Sequence, residues 1–236
     1  MINVLPALAG LALLAAVPAG AAQSAPAEAP SPADDSGKPE APAEAKAGRS
    51  DEATRVADWI ASSGDNRSLP YVIVDKKAAR AYLFSAKGKA LSDAPVLIGV
   101  ALGDEATPGI GTKSLSEIGP AERTTPAGRF LAKFGLAAGN HKVLWVDYAT
   151  SVALHTIPVG NPKEKRRERM LSKTIEDNRI TFGCINVPKV FYNKGVQPLF
   201  QKKGGYVYVL PDIKPLEEVF PRLRVQPFLE AAAASS

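Results

Sequence analysis

Cysteine and histidine are scarce in this sequence, which has one cysteine and two histidines among 236 residues. The lone Cys184 has no partner for a disulfide within the chain, which leaves three roles: an intermolecular bond, a small buried apolar side chain, or a reactive thiol. A zinc site would have to combine Cys184 with His141 and His155, without the closely spaced Cys and His pairs that structural zinc sites use. We therefore expect no metal site.

Long apolar runs are also missing, and none reaches the length of a membrane span. The short run 8–17, followed by the small residues Ala19-Gly20-Ala21, predicts a signal peptide over residues 1–21. No Lys or Arg precedes the run, so a retained membrane anchor is the alternative. We expect an exported protein with no membrane span after cleavage. An oxidising compartment exposes a lone thiol to damage, and a thiol kept there suggests use.

Residues 22–50 contain no aromatic side chain and no Leu, Ile, Val or Met, and are rich in Ala and Pro. Such a composition cannot bury enough apolar surface to fold, so it predicts a disordered tether. The tether is acidic, whereas the whole chain carries a formal net charge of +5. The folded part is therefore basic and suits an acidic partner. Nucleic acid is not expected, because the positive charge is modest and export removes the target.

The remaining chain alternates between helical and strand-like patterns. Residues 51–66 predict a short helix, because Ser50 can cap it and Gly64 can end it. Residues 67–212 predict one mainly β domain with a few short helices, and residues 213–236 a C-terminal tail. Residues 102–126, rich in Gly and Pro, predict a long ordered loop. The expected strands are 71–74, 81–84, 95–102, 130–134, 143–146, 152–154 and 206–210.

Cys184 lies in a short apolar stretch directly after Gly183, a residue that permits a tight turn and close approach. A thiol on such a turn can be the nucleophile of an acyl transfer, with neighbouring backbone N–H groups as oxyanion donors. His155 ends an apolar strand and is our candidate general base, with a backbone carbonyl near Thr156 able to orient its ring. Activation by His155 predicts a pKa of the Cys184 thiol below that of a free cysteine. His141 follows a turn, and we interpret it as structural.

Residues 163–173 connect the two candidate catalytic residues and contain six basic and two acidic side chains. Two interpretations remain open for this basic segment. It is either a solvated surface insertion or a cover beside the cleft that attracts carboxylates.

Three motifs in order resemble the L,D-transpeptidase catalytic domain of bacterial cell-wall enzymes. They are Thr125-Pro126-Ala127-Gly128-Arg129-Phe130, then His155 at a strand end, then Thr181-Phe182-Gly183-Cys184-Ile185-Asn186. The resemblance covers residues 71–211. Two departures stand out: Phe182 replaces the histidine that the family has before Gly-Cys, and the basic segment lengthens the spacing between the last two motifs.

The resemblance implies a β-sandwich or barrel-like fold and a transpeptidase that acts on peptidoglycan stem peptides in the periplasm or cell wall. Cys184 would attack the amide before a D-alanine and form a thioester, with His155 as base and then acid. The N–H groups of Gly183 and Cys184 would hold the oxyanion. We expect no cofactor and a monomer. Substrate contacts are expected from Thr156, Arg179, Thr181, Phe182 and Asn186.

Two alternatives share these residues. A hydrolase would use the same Cys184 and His155 with water as the acceptor. A catalytically inactive peptidoglycan-binding module is made possible by Phe182, although binding alone requires neither the thiol nor the imidazole.

Overall fold

The computed structural model describes residues 48–225. The expected signal peptide 1–21, most of the tether 22–50 and the end of the tail 213–236 lie outside the described residues. Within residues 48–225, no helix combines the length and apolar character that crossing a membrane requires.

The first helix, α1, spans Asp51–Ser63 and lies within the predicted helical region. The Ser50 side chain accepts a hydrogen bond from the Ala53 N–H at 3.1 Å, which is a standard N-cap. Gly64 ends the helix with a positive φ of 64° and donates its N–H to the Ile60 carbonyl. Local capping therefore sets both ends of α1.

The fold is mainly β, as predicted, with a few short helices. The strands within residues 48–225 are β1 Tyr71–Asp75, β2 Arg80–Phe84, β3 Ala90–Pro95, β4 Ile98–Gly99, β5 Gly128–Leu136, β6 Lys142–Asp147, β7 Val152–Thr156, β8 Arg179–Thr181, β9 Ile185–Val187 and β10 Gly205–Val209. Eight of these strands form one sheet in the order β3-β2-β1-β10-β5-β6-β7-β9, and β4 pairs with β8 separately. Most neighbours are antiparallel, but β1 with β10, β7 with β9, and β4 with β8 are parallel.

The predicted strand 95–102 is wrong. The chain instead ends β3 at Pro95, bridges Asn186 of β9 at Leu97, and pairs at Ile98 and Gly99 with β8. The long loop after it is confirmed, since residues 102–126 contain only bridges and short 3-10 turns. The other helices are α2 Arg166–Met170, α3 Gln197–Phe200, directly after a π-helical turn at Phe191–Val196, and α4 Leu216–Val219.

The central strands bury both of their faces. In β1, Val72 and Val74 belong to one apolar cluster, whereas Tyr71 and Ile73 belong to another. This alternation follows from the two-residue period of a strand. The first part of the expected tail contributes to the second cluster, because Leu223 is fully buried there beside α1 residues. Residues 213–225 are thus packed against the domain.

A buried lysine anchors the long loop to the sheet. Lys76 is fully buried, and its Nζ contacts Asp104 at 3.0 Å and Asp212 at 3.1 Å. Nζ also donates to the carbonyls of Gly103 and Thr125, the two ends of the loop. Burial would raise the pKa of Asp104, but hydrogen bonds from three backbone N–H groups and Lys76 lower it to about 2. Asp104 therefore stays ionised at neutral pH.

Candidate active site

The turn that carries Cys184 is closed by the Thr181 side chain. Thr181 Oγ1 donates to the Cys184 carbonyl at 2.6 Å and accepts from the Gly183 N–H at 3.1 Å. Gly183 has a φ of 126°, and a Cβ there would lie 2.7 Å from the Thr124 carbonyl oxygen. Only glycine avoids both the backbone strain and the clash.

Thr125, the first residue of the first motif, supports this turn from the other side. Its Oγ1 donates to the Gly183 carbonyl at 2.8 Å and accepts from the Gly99 N–H at 2.9 Å. Thr125 is 1% exposed, so no solvent replaces these bonds. The first and third motifs are therefore joined directly at the nucleophile.

The parallel pairing of β7 with β9 brings the candidate catalytic residues together. Leu154 pairs with Ile185, and His155 pairs with Asn186. Cys184 precedes Ile185, so it lies beside Ala153, two residues before His155. Because side chains alternate along a strand, Cys184, Asn186 and His155 lie on the same face of the sheet.

A backbone carbonyl orients the His155 ring, as predicted. Nδ1 lies 2.7 Å from the Thr156 carbonyl oxygen. A carbonyl can only accept, so Nδ1 carries the proton and Nε2 carries the lone pair. Nε2 lies 3.4 Å from Nδ2 of Asn186, which is fully buried. The ring is therefore held in the tautomer that a general base requires.

The basic segment reaches the site through a single residue. Arg166 donates to Asn186 Oδ1 at 2.9 Å and to Glu164 at 2.6 Å. Arg169 instead binds the backbone carbonyls of Asp177 and Arg179, where it holds the segment together. Arg166 was not among the expected site residues, and nothing in the sequence distinguishes it from the five other basic residues of the segment.

A cavity of about 260 Å³ lies beside the segment. Its walls come from the chain directly after β7 and from the start of α2. Arg166 lines this cavity on one side and contacts Asn186 on the other. The cavity therefore meets the candidate site at Arg166, and its lining includes neither Cys184 nor His155.

At rest the thiol of Cys184 bonds to a carbonyl. Sγ donates to the Ser151 oxygen at 3.7 Å, and within residues 48–225 no hydrogen bond joins Sγ to His155. Burial raises the pKa of the thiol, although the Ala153 N–H and the Arg166 charge oppose this. Burial also lowers the pKa of His155, opposed by the Thr156 carbonyl and reinforced by Arg166. Both groups are thus neutral at neutral pH.

The expected pair of oxyanion donors needs a correction. The Gly183 N–H is already bonded to Thr181 Oγ1, so it is not available to an oxyanion. The Cys184 N–H has no hydrogen-bond partner within the described part of the chain. It is the better-placed donor of the two.

No protein-family model and no curated protein matches the chain. Solved structures do: the fold is similar to L,D-transpeptidases. One, from Xylanimonas cellulosilytica, is 15% identical, with 60% of each chain covered and a TM-score of 0.36. Another, a mutant of the Enterococcus faecium L,D-transpeptidase, is 16% identical over 59% of this chain and 49% of its own, with a TM-score of 0.34.

A third similar structure is the helical cell shape determining protein Pgp2 from Campylobacter jejuni. It is 18% identical over 67% of this chain and 56% of its own, with a TM-score of 0.40. The chain thus spans between 49% and 60% of these three structures. Because the TM-scores are below 0.5, the function proposed below rests on the motifs and the site geometry.

Two expected substrate contacts are engaged elsewhere. The Arg179 guanidinium donates to Asp212 at 2.6 Å and belongs to the ionic cluster around Lys76. Phe182 lies under Arg123, whose guanidinium carbon is 3.9 Å from the ring centroid. Arg179 therefore supports the scaffold, and Phe182 is held by a cation–π contact next to the nucleophile.

The second histidine is not a buried structural residue. His141 is exposed at the start of β6, directly after the turn that contains Gly139 and Asn140. The interpretation of His141 as a hydrogen-bonded structural residue is therefore corrected to a surface position. Among residues 48–225, no group of three or more His, Cys, Asp or Glu side chains is arranged to hold a metal.

Proposed function

We propose that the protein is an exported cysteine acyltransferase of the L,D-transpeptidase type that acts on peptidoglycan stem peptides. One observation carries the proposal. Cys184 and His155 lie on one sheet face at adjoining parallel strands, and the Thr156 carbonyl holds the proton of His155 on Nδ1 and leaves the Nε2 lone pair facing Asn186 on that face. A binding module needs neither the thiol nor an oriented imidazole. The motif order supports the stem peptide as the substrate.

The reaction starts from a neutral pair. Sγ leaves the Ser151 carbonyl and attacks the carbonyl carbon of the amide before D-alanine, while His155 Nε2 gives up its contact with Asn186 Nδ2 and takes the thiol proton. The Cys184 N–H donates to the oxyanion, a contact worth about 3 to 4 kcal/mol in the transition state of comparable sites. His155 then gives its proton to the nitrogen of D-alanine, which leaves, and a thioester remains.

The second half repeats these roles. His155 takes a proton from the acceptor amine as that amine attacks the thioester carbonyl. The new amide forms, and the proton returns to the sulfur of Cys184. The transfer thus needs no cofactor, and Phe182 takes no part because it can neither donate nor accept a proton.

The basic segment supports substrate encounter in this proposal. Lys163, Lys165 and Arg167 are exposed along it, beside the cavity of about 260 Å³. Positive charge there attracts the carboxylates of stem peptides, an effect that salt screens over about 10 Å at 0.1 M. Export to the periplasm or cell wall, where the stem peptides are found, belongs to the same proposal.

The alternative is a non-catalytic peptidoglycan-binding module. It is favoured by the bond of Sγ to the Ser151 carbonyl and by Phe182 in place of histidine. A hydrolase is the third possibility and differs from the transferase only in its acceptor.

Intact-mass spectrometry separates these functions. We expect incubation with a tetrapeptide stem to give a covalent adduct on Cys184 with loss of D-alanine, and no adduct with Cys184→Ala. Faster decay of the adduct on addition of a stem-peptide amine identifies a transferase, and decay independent of amine identifies a hydrolase. Stem-peptide binding without any adduct would identify the binding module and refute the proposal.

A further inference from the structure

Arg166 has an unusual position for a residue of a basic surface segment. Its side chain is 16% exposed, and its guanidinium bonds to Glu164 and to the fully buried Asn186. Its exposed neighbour Arg167 has no hydrogen bond or ion pair among residues 48–225. Only one of these adjacent arginines is therefore built into the site.

The guanidinium decides which way the Asn186 amide faces. A guanidinium only donates hydrogen bonds, so the atom of Asn186 that it meets must be the oxygen, Oδ1. The amide nitrogen, Nδ2, then faces His155 Nε2 at 3.4 Å. Nδ2 can only donate, so it pairs with Nε2 only when Nε2 carries a lone pair. Protonated His155 would place two donors against each other.

We propose that Arg166 is a positioning residue that acts through Asn186 to keep His155 neutral, with its proton on Nδ1 and its lone pair on Nε2. The chain of contacts runs from Arg166 to Asn186, on to the imidazole, and ends at the Thr156 carbonyl. This proposal rests on the proposed function, in which His155 is the general base.

The charge of Arg166 acts in the same direction. Three elements surround the imidazole: β7 with the Thr156 carbonyl, β9 with Asn186, and the basic segment with Arg166 and its partner Glu164. Cys184 on the same face is neutral at rest. Arg166 is the charged group that lowers the pKa of His155, after the larger effect of burial. It therefore disfavours the imidazolium both by charge and by the orientation of Asn186.

The state of His155 can be read without substrate. We would record the ring ¹⁵N chemical shifts against pH in the full-length protein, with His141→Gln to assign the two histidines. Arg166→Met should raise the pKa of His155 and weaken the preference for the Nδ1–H tautomer. Arg166→Lys, which keeps the charge and a donor, should remain near the parent. Arg167→Met, which removes an adjacent exposed charge, should leave the His155 titration unchanged.

Asn186→Asp is a sharper variant with nearly the same shape. Its carboxylate would accept a hydrogen bond from protonated Nε2, so the imidazolium becomes the favoured form and the pKa of His155 rises. Because His155 would then be protonated at pH 7 and could not act as a base, the acylation rate at pH 7 should fall by on the order of 100-fold. The rate should recover as the pH increases and His155 loses its proton. A purely structural role for Asn186 or Arg166 would lower stability and leave the tautomer and titration of His155 unchanged.

The outcomes separate this proposal from the proposed function. If Arg166→Met and Asn186→Asp move the titration as expected but no variant or parent acylates, only the proposed function fails. If the parent acylates while both folded variants keep the parent titration and tautomer, only the positioning role is refuted. Should Arg166→Met fail to fold, Arg166→Gln, which keeps a donor but removes the charge, gives the same decision together with Asn186→Asp.

Discussion

Thr125→Val tests whether the first motif supports the nucleophile. The substitution keeps the shape of the side chain and replaces the hydroxyl with a methyl group. That hydroxyl bonds the Gly99 N–H at 2.9 Å and the Gly183 carbonyl at 2.8 Å. Gly99, Thr125 and Gly183 are all buried, so both backbone groups would lose their partner away from water.

The structure sets the size of the effect. Each buried polar group left without a partner costs about 1 to 3 kcal/mol, so the two together should cost about 2 to 6 kcal/mol. This is a large part of the total stability of a typical domain, about 5 to 15 kcal/mol. The Gly183 peptide would also be free to rotate, which misplaces the thiol of Cys184.

Two measurements follow from this. Urea unfolding monitored by tryptophan fluorescence should show the lower free energy of unfolding, and iodoacetamide alkylation should show an altered reactivity of Cys184. Thr112→Val is the matched control, because Thr112 is exposed and its side chain, among residues 48–225, bonds only the Gly109 carbonyl. Its effect should stay within about 0.5 kcal/mol.

An equal effect of the two valine substitutions would refute the reasoning. In that case Gly99 and Gly183 would find other partners, and the link between the first and third motifs would not hold the turn. A stability loss with unchanged alkylation would keep the structural argument and remove the effect on the thiol.

Three further predictions concern the same site. Gly183→Ala should lose about 1 to 3 kcal/mol from backbone strain alone, measured by urea unfolding, because its φ is 126° and its Cβ would meet the Thr124 carbonyl. Phe182→Ala should lower the melting temperature and slow acylation, because it removes the contact with Arg123, whereas Phe182→Tyr should leave the melting temperature and the acylation rate near those of the parent. If the parent does not acylate and Phe182→His does, the binding module is favoured. The acylation rate should be independent of pH from somewhat below 6.5, the ordinary pKa of histidine, to above neutrality. It should fall at more acidic pH as His155 gains a proton, because the pKa of His155 is lowered. A fall in the rate that begins above pH 6.5 would contradict a neutral resting pair.

That neutral resting pair corrects an expectation from the sequence. Pairing with His155 predicts a thiol pKa below that of a free cysteine, as in a thiolate–imidazolium pair. In the structure the pKa of Cys184 is instead raised, because the thiol is buried, and its sulfur bonds to the Ser151 carbonyl. Burial depends on how the turn packs, and no residue near Cys184 in the sequence reports it.

Local signals in the sequence were enough for much of the fold. The ends of α1 depend on Ser50 and Gly64, which act within one turn of the helix. The strands around His155 and in β1 follow from short apolar runs bounded by turn residues, which a local window of the sequence displays. The single strand predicted at 95–102 was wrong, since the chain there changes partners from β2 to β9 at Leu97 and then to β8, about eighty residues away.

The candidate site divides in the same way. Three groups of the site could be predicted from the sequence. Cys184 is the one cysteine of the chain, His155 is one of two histidines and ends an apolar strand, and the Thr156 carbonyl follows His155 directly. The engaged N–H of Gly183, the ion pair of Arg179 and the reach of Arg166 to Asn186 could not be predicted. The Gly183 bond depends on the conformation of the turn, the Arg179 ion pair depends on Asp212, 33 residues away in the chain, and the Arg166 contact depends on the folding of the segment between β7 and β9. Six basic residues in a row of eleven look alike in the sequence, and only the tertiary structure decides which one is turned inward.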